Sequence, residues 1–453
     1  MARLPKLPRL PKSISVLPKP VDRGNSSVGF AELGLRGSVR LTQTVIQLYP
    51  RAARWLIKRK VPPAKEVREL FEALGATYIK FGQFIASSPS VFPTEYVEEF
   101  QLLLDQTEPM AFNKIKQIVE KDLNQPLNKT FSYFDPEPLA SASIAQVHAA
   151  VLETGEDVVV KVQKPGVATE IMVDLHTVYL MTRLMELILP NMDQEAIAGI
   201  IEEMYQSMID ECDFEKEADN LDHFRQFLQN TGNQDVVAPK PYRQVSGPKV
   251  LVMERLYGCS MADRAALSQH RGNPANALFS ALNTWFASLT ACDFFHADLH
   301  SGNMLLLNDG RVGFIDFGMV GRVKSEAWEA MFRLFTALGN EDYRGIAEAM
   351  VAVGITREKV NMDRLTVDIR NLFSSMQSVN PETMMGNLGQ GKTDDINDMM
   401  IQLGEIGKNY GIRFPRAFTM LLKQFLYFDR YMQILEPGGS VFDNPNIEML
   451  PGQ

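Results

Sequence analysis

Cysteine is scarce. The three cysteines in 453 residues, Cys212, Cys259 and Cys292, are scattered, odd in number, and free of C-x-x-C spacing or a histidine placed to complete a zinc site. That excludes a disulfide-stapled secreted scaffold and points to a reducing compartment. Long apolar runs are also missing. A membrane-spanning helix needs roughly 18 or more consecutive apolar residues, and even Thr177–Pro190 is interrupted by Arg183 and Glu186. No transmembrane helix is expected. His148, His176, His223 and His270 lack metal-ligand spacing, and no long period recurs that would build a solenoid.

What is present is globular. Hydrophobic residues make up 45% and charged residues 22% of the chain, enough for two or three packed units at this length. Charge is unevenly placed. Residues 1–60 hold 13 Lys/Arg against 2 Asp/Glu, and the rest of the chain 33 against 53. A basic arm ending in Arg51-Ala-Ala-Arg-Trp-Leu-Ile-Lys-Arg-Lys60 suits an anionic membrane surface; a solvated tail is the alternative. The acidic body argues against nucleic acid as a partner. Five prolines within the first 20 residues break any amphipathic presequence helix there and make residues 1–25 an extended arm.

From Lys65 onward, Val67, Leu70, Phe71, Leu74, Tyr78 and Ile79 recur at helical spacing, and a second helical pattern covers Thr94–Leu104. The period then changes. Pro138–Val151 and Val158–Val162, joined by the turn-like Thr154-Gly155-Glu156-Asp157, read as two strands of a hairpin. Helices are expected over Thr169–Leu189, Glu195–Leu228 and Ala275–Phe295, a strand over Pro248–Met253, and helix throughout after Gly318.

The sharpest chemical signal is His296-Ala-Asp298-Leu-His300-Ser-Gly-Asn303 followed by Gly313-Phe-Ile-Asp316-Phe317-Gly318. Order and spacing fit the kinase pair H-x-D-x-x-x-x-N and D-F-G. Phosphoryl transfer needs charge neutralisation more than covalent help. Asp316 and Asn303 would hold Mg²⁺, a hard cation that wants oxygen ligands, and Asp298 would face the attacking hydroxyl or water. Upstream, Val158-Val-Val-Lys161-Val resembles the kinase V-A-I-K strand, with Lys161 reaching the α/β-phosphates of ATP. Its acidic partner is expected within Glu211-Cys-Asp213-Phe-Glu215-Lys-Glu217, where Glu217 shares a helix face with Asp213 and Glu211 points elsewhere.

Two further motifs make the chain resemble the UbiB/AarF family of atypical kinase-like proteins, linked with ubiquinone biosynthesis. Leu74-Gly-Ala-Thr-Tyr-Ile-Lys80-Phe-Gly82-Gln83 is similar to the family's K-x-G-Q signature, and Lys80 and Gln83 lie i,i+3 on one helix face. An alanine-rich segment, Leu139, Ala140, Ser141, Ala142, Ser143, Ile144, Ala145, Gln146 and Val147, stands where a protein kinase has its glycine-rich loop; alanine disfavours the positive φ angles glycine permits. The resemblance implies an α+β, bilobal kinase-like fold. Its expected parts are a basic arm (1–60), a helical K-x-G-Q extension (61–125), an N-lobe with inserted helices (126–256) and a helical C-lobe (257–453). It also implies that Lys161, Glu217 and Asp298 serve catalysis, with the alanine-rich segment, Lys161 and Glu254 around ATP. Glu211 and Asp213 would engage Lys80, so that Lys80, Gly82 and Gln83 form a regulatory cleft group.

The resemblance favours an ATPase or small-molecule kinase supporting ubiquinone or isoprenoid-lipid biosynthesis, alongside lipid-biosynthesis proteins. A nucleotide-sensing scaffold and a genuine protein kinase stay open as alternatives. Against the last, a helix is expected near Ser325, leaving no room for a long activation segment, and no A-P-E follows. A cytoplasmic setting is expected, with peripheral attachment at an inner membrane and an organellar place both open. Gly386-Asn-Leu-Gly-Gln-Gly391-Lys392-Thr393 satisfies the Walker A string, but no strand precedes it and too little chain follows to build a parallel sheet. It is read as a decoy.

Overall fold

The computed structural model describes residues 62–86, most of 94–178, nearly all of 207–379, and scattered positions from 42 to 55 and from 402 to 431. The basic arm and the Walker-like string fall almost wholly outside these residues. Helix α1 (Ala64–Leu74) forms because Leu70, Phe71 and Leu74 share one buried face. It stops at Gly75, whose φ of 93° only glycine adopts cheaply. α2 (Ala76–Ala86) and α3 (Thr94–Phe100) complete a separate small core with Tyr78, Ile85, Phe100 and Leu103.

Gly82 belongs to that core. A Cβ there would lie 2.1 Å from Leu103 Cδ1 and 2.4 Å from Phe100 Cδ1, and the Phe100 ring is pinned edge-on against Phe71 at 5.0 Å. Gly82→Ala gains about 1 kcal/mol of helix propensity but overpacks a full core at about 1–3 kcal/mol. A net loss is expected, visible as a lower urea midpoint without a change in slope; a raised midpoint would show that the core yields.

α4 (Phe112–Asp122) and the single turn α5 (Leu127–Thr130) lead into an antiparallel sheet. Its strands are β1 (Phe131–Ser141), β2 (Ala145–Leu152), β3 (Asp157–Gln163) and, beyond α6 (Phe214–Asn230) and β4 (Val236–Val237), β5 (Val250–Glu254). They lie in the order β1-β2-β3-β5. The strand period of two gives this sheet two distinct faces. Val158, Val160, Val162, Val250 and Val252 pack on Ile115 and Val119 of α4, each buried side chain contributing about 1.5–3 kcal/mol. The opposite face places Ala145, Leu251 and Met253 in the main core with Phe214 of α6.

After β6 (Gly258–Ser260) and α7 (Arg264–Gln269), helix α8 (Pro274–Ala291) starts on Asn273, whose side chain accepts the N–H groups of Ala275 and Asn276. Three strands follow: β7 (Phe295–His296), β8 (Met304–Leu307) and β9 (Val312–Phe314). β4-β9-β8-β6 form a second sheet, while β7 pairs with β10 (Val320–Gly321). The result frames two loops side by side, residues 297–303 and 315–319. α9 (Ser325–Gly339), α10 (Tyr343–Val353) and α11 (Met362–Val379) then pack against this base, with the small pair β11 (Ile355–Thr356) and β12 (Ile412–Arg413). Among the described residues no helix is long and apolar enough to cross a membrane.

Several expectations need correction. The run Pro138–Val151 is two strands: Ala142 N–H bonds Ala145 O at 2.9 Å and closes a turn that carries no glycine or proline to announce it. The helix expected over Glu195–Leu228 is broken at Cys212, because the Asp213 carboxylate accepts the Lys216 N–H at 3.0 Å and starts α6 afresh. Glu211 and Glu217 therefore sit on different helices, and the helix-face comparison between them does not apply. α8 ends at Ala291, so Phe295 is in a strand, and the chain after Gly318 is not purely helical. There β10, β11 and β12 are two-residue pairs too short to show a period.

Candidate functional site

Lys161 lies on the cleft face of β3, directly across from Val147 on β2 and Leu251 on β5. Its Nζ donates to both oxygens of Glu217 on α6 at 2.9 Å and to Asp316 Oδ1 at 3.0 Å. Burial opposes the lysine's charge, but the carboxylates of Asp316 and Glu217 outweigh it and hold the pKa above the usual lysine range. Burial pushes the Glu217 carboxyl up to about 7, against the pull of Lys161 and with help from Asp316. Asp316 is half-exposed to the cleft; desolvation works against its ionisation, yet Lys161 prevails and holds it below the usual carboxylate range.

The Asp316 backbone has φ of 60°, in the left-handed region that a side chain rarely adopts. The turn is held by Gly318 N–H donating to Asp316 Oδ1 at 3.3 Å. Phe317 beside it is fully buried against Phe224 and His296, with ring centroids 4.9 and 4.6 Å apart. Its carbonyl accepts from Asn220 Nδ2 at 2.9 Å.

The loop from Ala297 to Asn303 is built around His296. Nε2 of this buried imidazole donates to Ile315 O at 3.0 Å and Nδ1 accepts the Asp298 N–H at 3.2 Å, which defines a neutral ring. Burial lowers its pKa accordingly. Trp285 Nε1 donates to His296 O at 2.9 Å. Asn303 Nδ2 donates to Asp298 O at 2.9 Å, and Ile315 N–H to Asn303 O at 3.0 Å. Asn303 and Asp316 are thus fixed on the two ends of the β8–β9 hairpin.

Their donor set suits a hard cation: one carboxylate and one amide oxygen, with the Asn303 nitrogen already committed elsewhere. Among the described residues no group of three His, Cys, Asp or Glu side chains is placed to hold a metal. A cation here would complete its shell with water and phosphate oxygens, as Mg²⁺ commonly does.

The alanine-rich hairpin turn lines the cleft through Ser143 and Ile144. None of Ala142, Ser143 and Ile144 takes a positive φ, and Ile144 O accepts the Lys164 N–H at 2.8 Å. Leu139 is half-exposed and Ala140 pairs with Val147. Two expected nucleotide contacts point elsewhere. The Gln146 side chain is on the α4 face, buried, accepting Met110 N–H at 2.8 Å and lying 3.0 Å from His148 Nε2; the strand period puts it opposite to Lys161. Glu254 spends its carboxylate on Lys240 N–H at 3.2 Å and on Arg225 at 3.7 Å, and its own N–H bonds Lys240 O.

Lys80 reaches the same cleft from α2. Its Nζ lies 2.9 Å from Glu211 Oε2, and Glu211 feels both Asp298 and Asp316, which add to a rise in pKa that burial begins and Lys80 opposes. Thr77, Lys80 and Glu211 line a small cleft with Ser143, Ile144 and Met208. Asp213, grouped with Glu211 by sequence, is the cap of α6. Gly82 is a packing position rather than a cleft residue, and the side chain of Gln83 lies outside what the structure describes.

Asn220, Trp285, Gln424 and Tyr431 were not singled out by sequence. Asn220, Gln424 and Tyr431 bond backbone groups of the two loops, and Trp285 bonds the carbonyl of His296 just before the first. The signal available for Gln424 is a polar residue on the apolar stripe Leu421, Phe428 and Tyr431.

Residues 102–350 match the ABC1 atypical kinase-like domain. An uncharacterized aarF domain-containing protein kinase, chloroplastic, of Arabidopsis thaliana is 40% identical over 398 residues, 84% of this chain and 74% of that protein. A protein of Pseudomonas putida named Probable protein kinase UbiB is 31% identical over 325 residues, 70% of this chain and 60% of its own length. The solved complex of Rv3197 with erythromycin from Mycobacterium tuberculosis aligns with a TM-score of 0.49 at 21% identity, over 89% of this chain and 100% of that one. Matched over more than half its length, and bringing a strand lysine, a helix glutamate and an aspartate after β9 into one ion-paired cluster, the chain belongs to the ABC1/AarF family of atypical kinase-like proteins.

Proposed function

We propose that the chain binds Mg-ATP between the first sheet and the β7–β10 loops and acts as an ATPase or small-molecule kinase supporting ubiquinone or isoprenoid-lipid biosynthesis. The observation that carries this reading is the triple contact of Lys161 with Glu217 and Asp316. Such a cluster is costly to build in a protein interior unless the charges serve a ligand.

In this reading Glu217 aims Lys161 at the α/β-phosphates. Asp316 and Asn303 hold Mg²⁺, which when bound neutralises phosphate charge. Asp298 orients the attacking hydroxyl or water and takes up its proton. Lys80, paired with Glu211, would supply a second cation to the phosphates. The short link of three residues from β10 to α9 leaves little room for a peptide-docking segment, which supports a small acceptor. The ubiquinone assignment rests on the names of the UbiB relatives.

The test is phosphate release from Mg-ATP by the purified chain, alone and with polyprenyl phenols as acceptor candidates. Release above background that an acceptor stimulates supports the reading. Transfer to a protein in a lysate at stoichiometric yield would replace it with the protein-kinase alternative.

A further inference from the structure

The loop that carries Asp298 has no slack backbone. Ala297 N–H bonds Met319 O at 3.1 Å, Asp298 N–H bonds His296 Nδ1, and Asp298 O accepts from Asn303. The other three polar groups of Ala297, Asp298 and Leu299 go to two residues more than a hundred positions away. Gln424 Nε2 donates to Ala297 O at 2.7 Å, Gln424 Oε1 accepts Leu299 N–H at 2.8 Å, and Tyr431 OH donates to Leu299 O at 3.0 Å.

Gln424 and Tyr431 are helical and seven residues apart, on the stripe that also carries Leu421 and Phe428. All four are buried. A leucine or methionine would fill the Gln424 position as well by volume, and a buried amide is tolerated only where both its ends are bonded. The amide spans the Asp298 position like a strand partner, taking one bond on each side of it. Ala297, in the place of the arginine in H-R-D, brings no polar side chain to the loop, and the Gln424 and Tyr431 bonds reach it from beyond residue 350, where the domain match ends.

We propose that Gln424 and Tyr431 are positioning residues: a clamp that sets the height and orientation of the loop presenting Asp298, making these two residues beyond the domain match a working part of the site. The proposal builds on the function assigned above but rests on its own geometry. Neither residue is placed to touch nucleotide or metal. Loosening the clamp should therefore slow the step that Asp298 serves while sparing Mg-ATP binding at Lys161 and Asp316.

The experiment uses the full chain with Gln424→Leu, which removes both amide bonds, and Tyr431→Phe, which removes one hydroxyl and keeps the packing. Amide exchange at Leu299 is followed by NMR or mass spectrometry; turnover of Mg-ATP and its KM are measured in parallel. Leu299 should exchange about fivefold faster or more in Gln424→Leu, as expected for one lost hydrogen bond. Turnover should drop by a similar or larger factor with KM and the Mg-ATP thermal shift retained, and Tyr431→Phe should move the same way by less. Unchanged Leu299 exchange would overturn the clamp. So would unchanged turnover, or a loss of Mg-ATP binding in step with turnover, which marks general unfolding. A wild-type chain without turnover would count against the proposed function, while the exchange at Leu299 in the two variants would still decide the clamp.

Discussion

Lys161→Met is expected to cost about 3–5 kcal/mol of folding stability well above pH 7, where Glu217 is ionised, the scale of breaking a buried ion pair from one side. Lys161 is nearly buried and Glu217 fully so, and the ammonium is the cation in contact with both Glu217 and Asp316. Methionine matches the stem but leaves two carboxylates facing each other.

The loss should depend on pH in a stated direction. With Lys161 present, Glu217 already stands at about 7; without its pull the carboxyl rises further. A carboxyl with a folded pKa above its unfolded value binds more protons when folded, so its contribution is full below the unfolded pKa near 4.5 and is lost as pH climbs through the folded pKa. The deficit of the variant should therefore be smallest near pH 5, where only the Asp316 contact is lost, and grow above pH 7. Urea unfolding of both proteins across that range measures it. A pH-independent difference would mean that Glu217 does not titrate there.

Asp298→Asn should reduce phosphate release from Mg-ATP by about 10²–10⁴-fold, the usual contribution of a positioned general base. Asparagine keeps the shape of the side chain and leaves the Asp298 backbone bonds to His296 and Asn303 untouched. What it removes is the capacity to accept a proton. Mg-ATP should still raise the melting temperature of this variant, because Lys161 and Asp316 are intact. Retained turnover would assign the proton to another group, and the His300 imidazole, 3.7 Å from Asp298 at Nε2, would be the first to examine.

That these residues meet in one cleft was legible because most sit at a fixed offset from one another. Asp298 and Asn303 are five positions apart in one loop, and Asp316 closes the following hairpin, so local spacing carried the information. Lys161 could be read from its place in an apolar run before those loops, although 155 positions separate it from Asp316. Its partner came from the resemblance, which leaves Glu217 for Lys161 and Glu211 for Lys80, the pairs the structure forms. Periodicity could not separate them, because the helix break at Cys212 is invisible to it and Asp213 is as good a helix cap as it is a member of an acidic face.

The β1–β2 turn was missed for a related reason: alanine and serine make it, and neither interrupts an alternating pattern as glycine would. Gln146 lies one residue from Val147 and Ala145, and in a strand one residue decides the face. Gln424 and Tyr431 escaped because nothing local to them speaks of phosphoryl transfer; their role exists only once the chain has folded back onto Leu299.

The most direct measurement is a thermal melt of the wild type and Asp316→Asn, each with and without Mg-ATP. Ligand at roughly 100 times its Kd adds about 2.7 kcal/mol to stability. A rise in melting temperature in the wild type that is lost in Asp316→Asn, and lost in the wild type when Mg²⁺ is chelated, is the expected result. No rise in the wild type, or an equal rise in both proteins, would contradict a metal-dependent nucleotide site at Lys161 and Asp316.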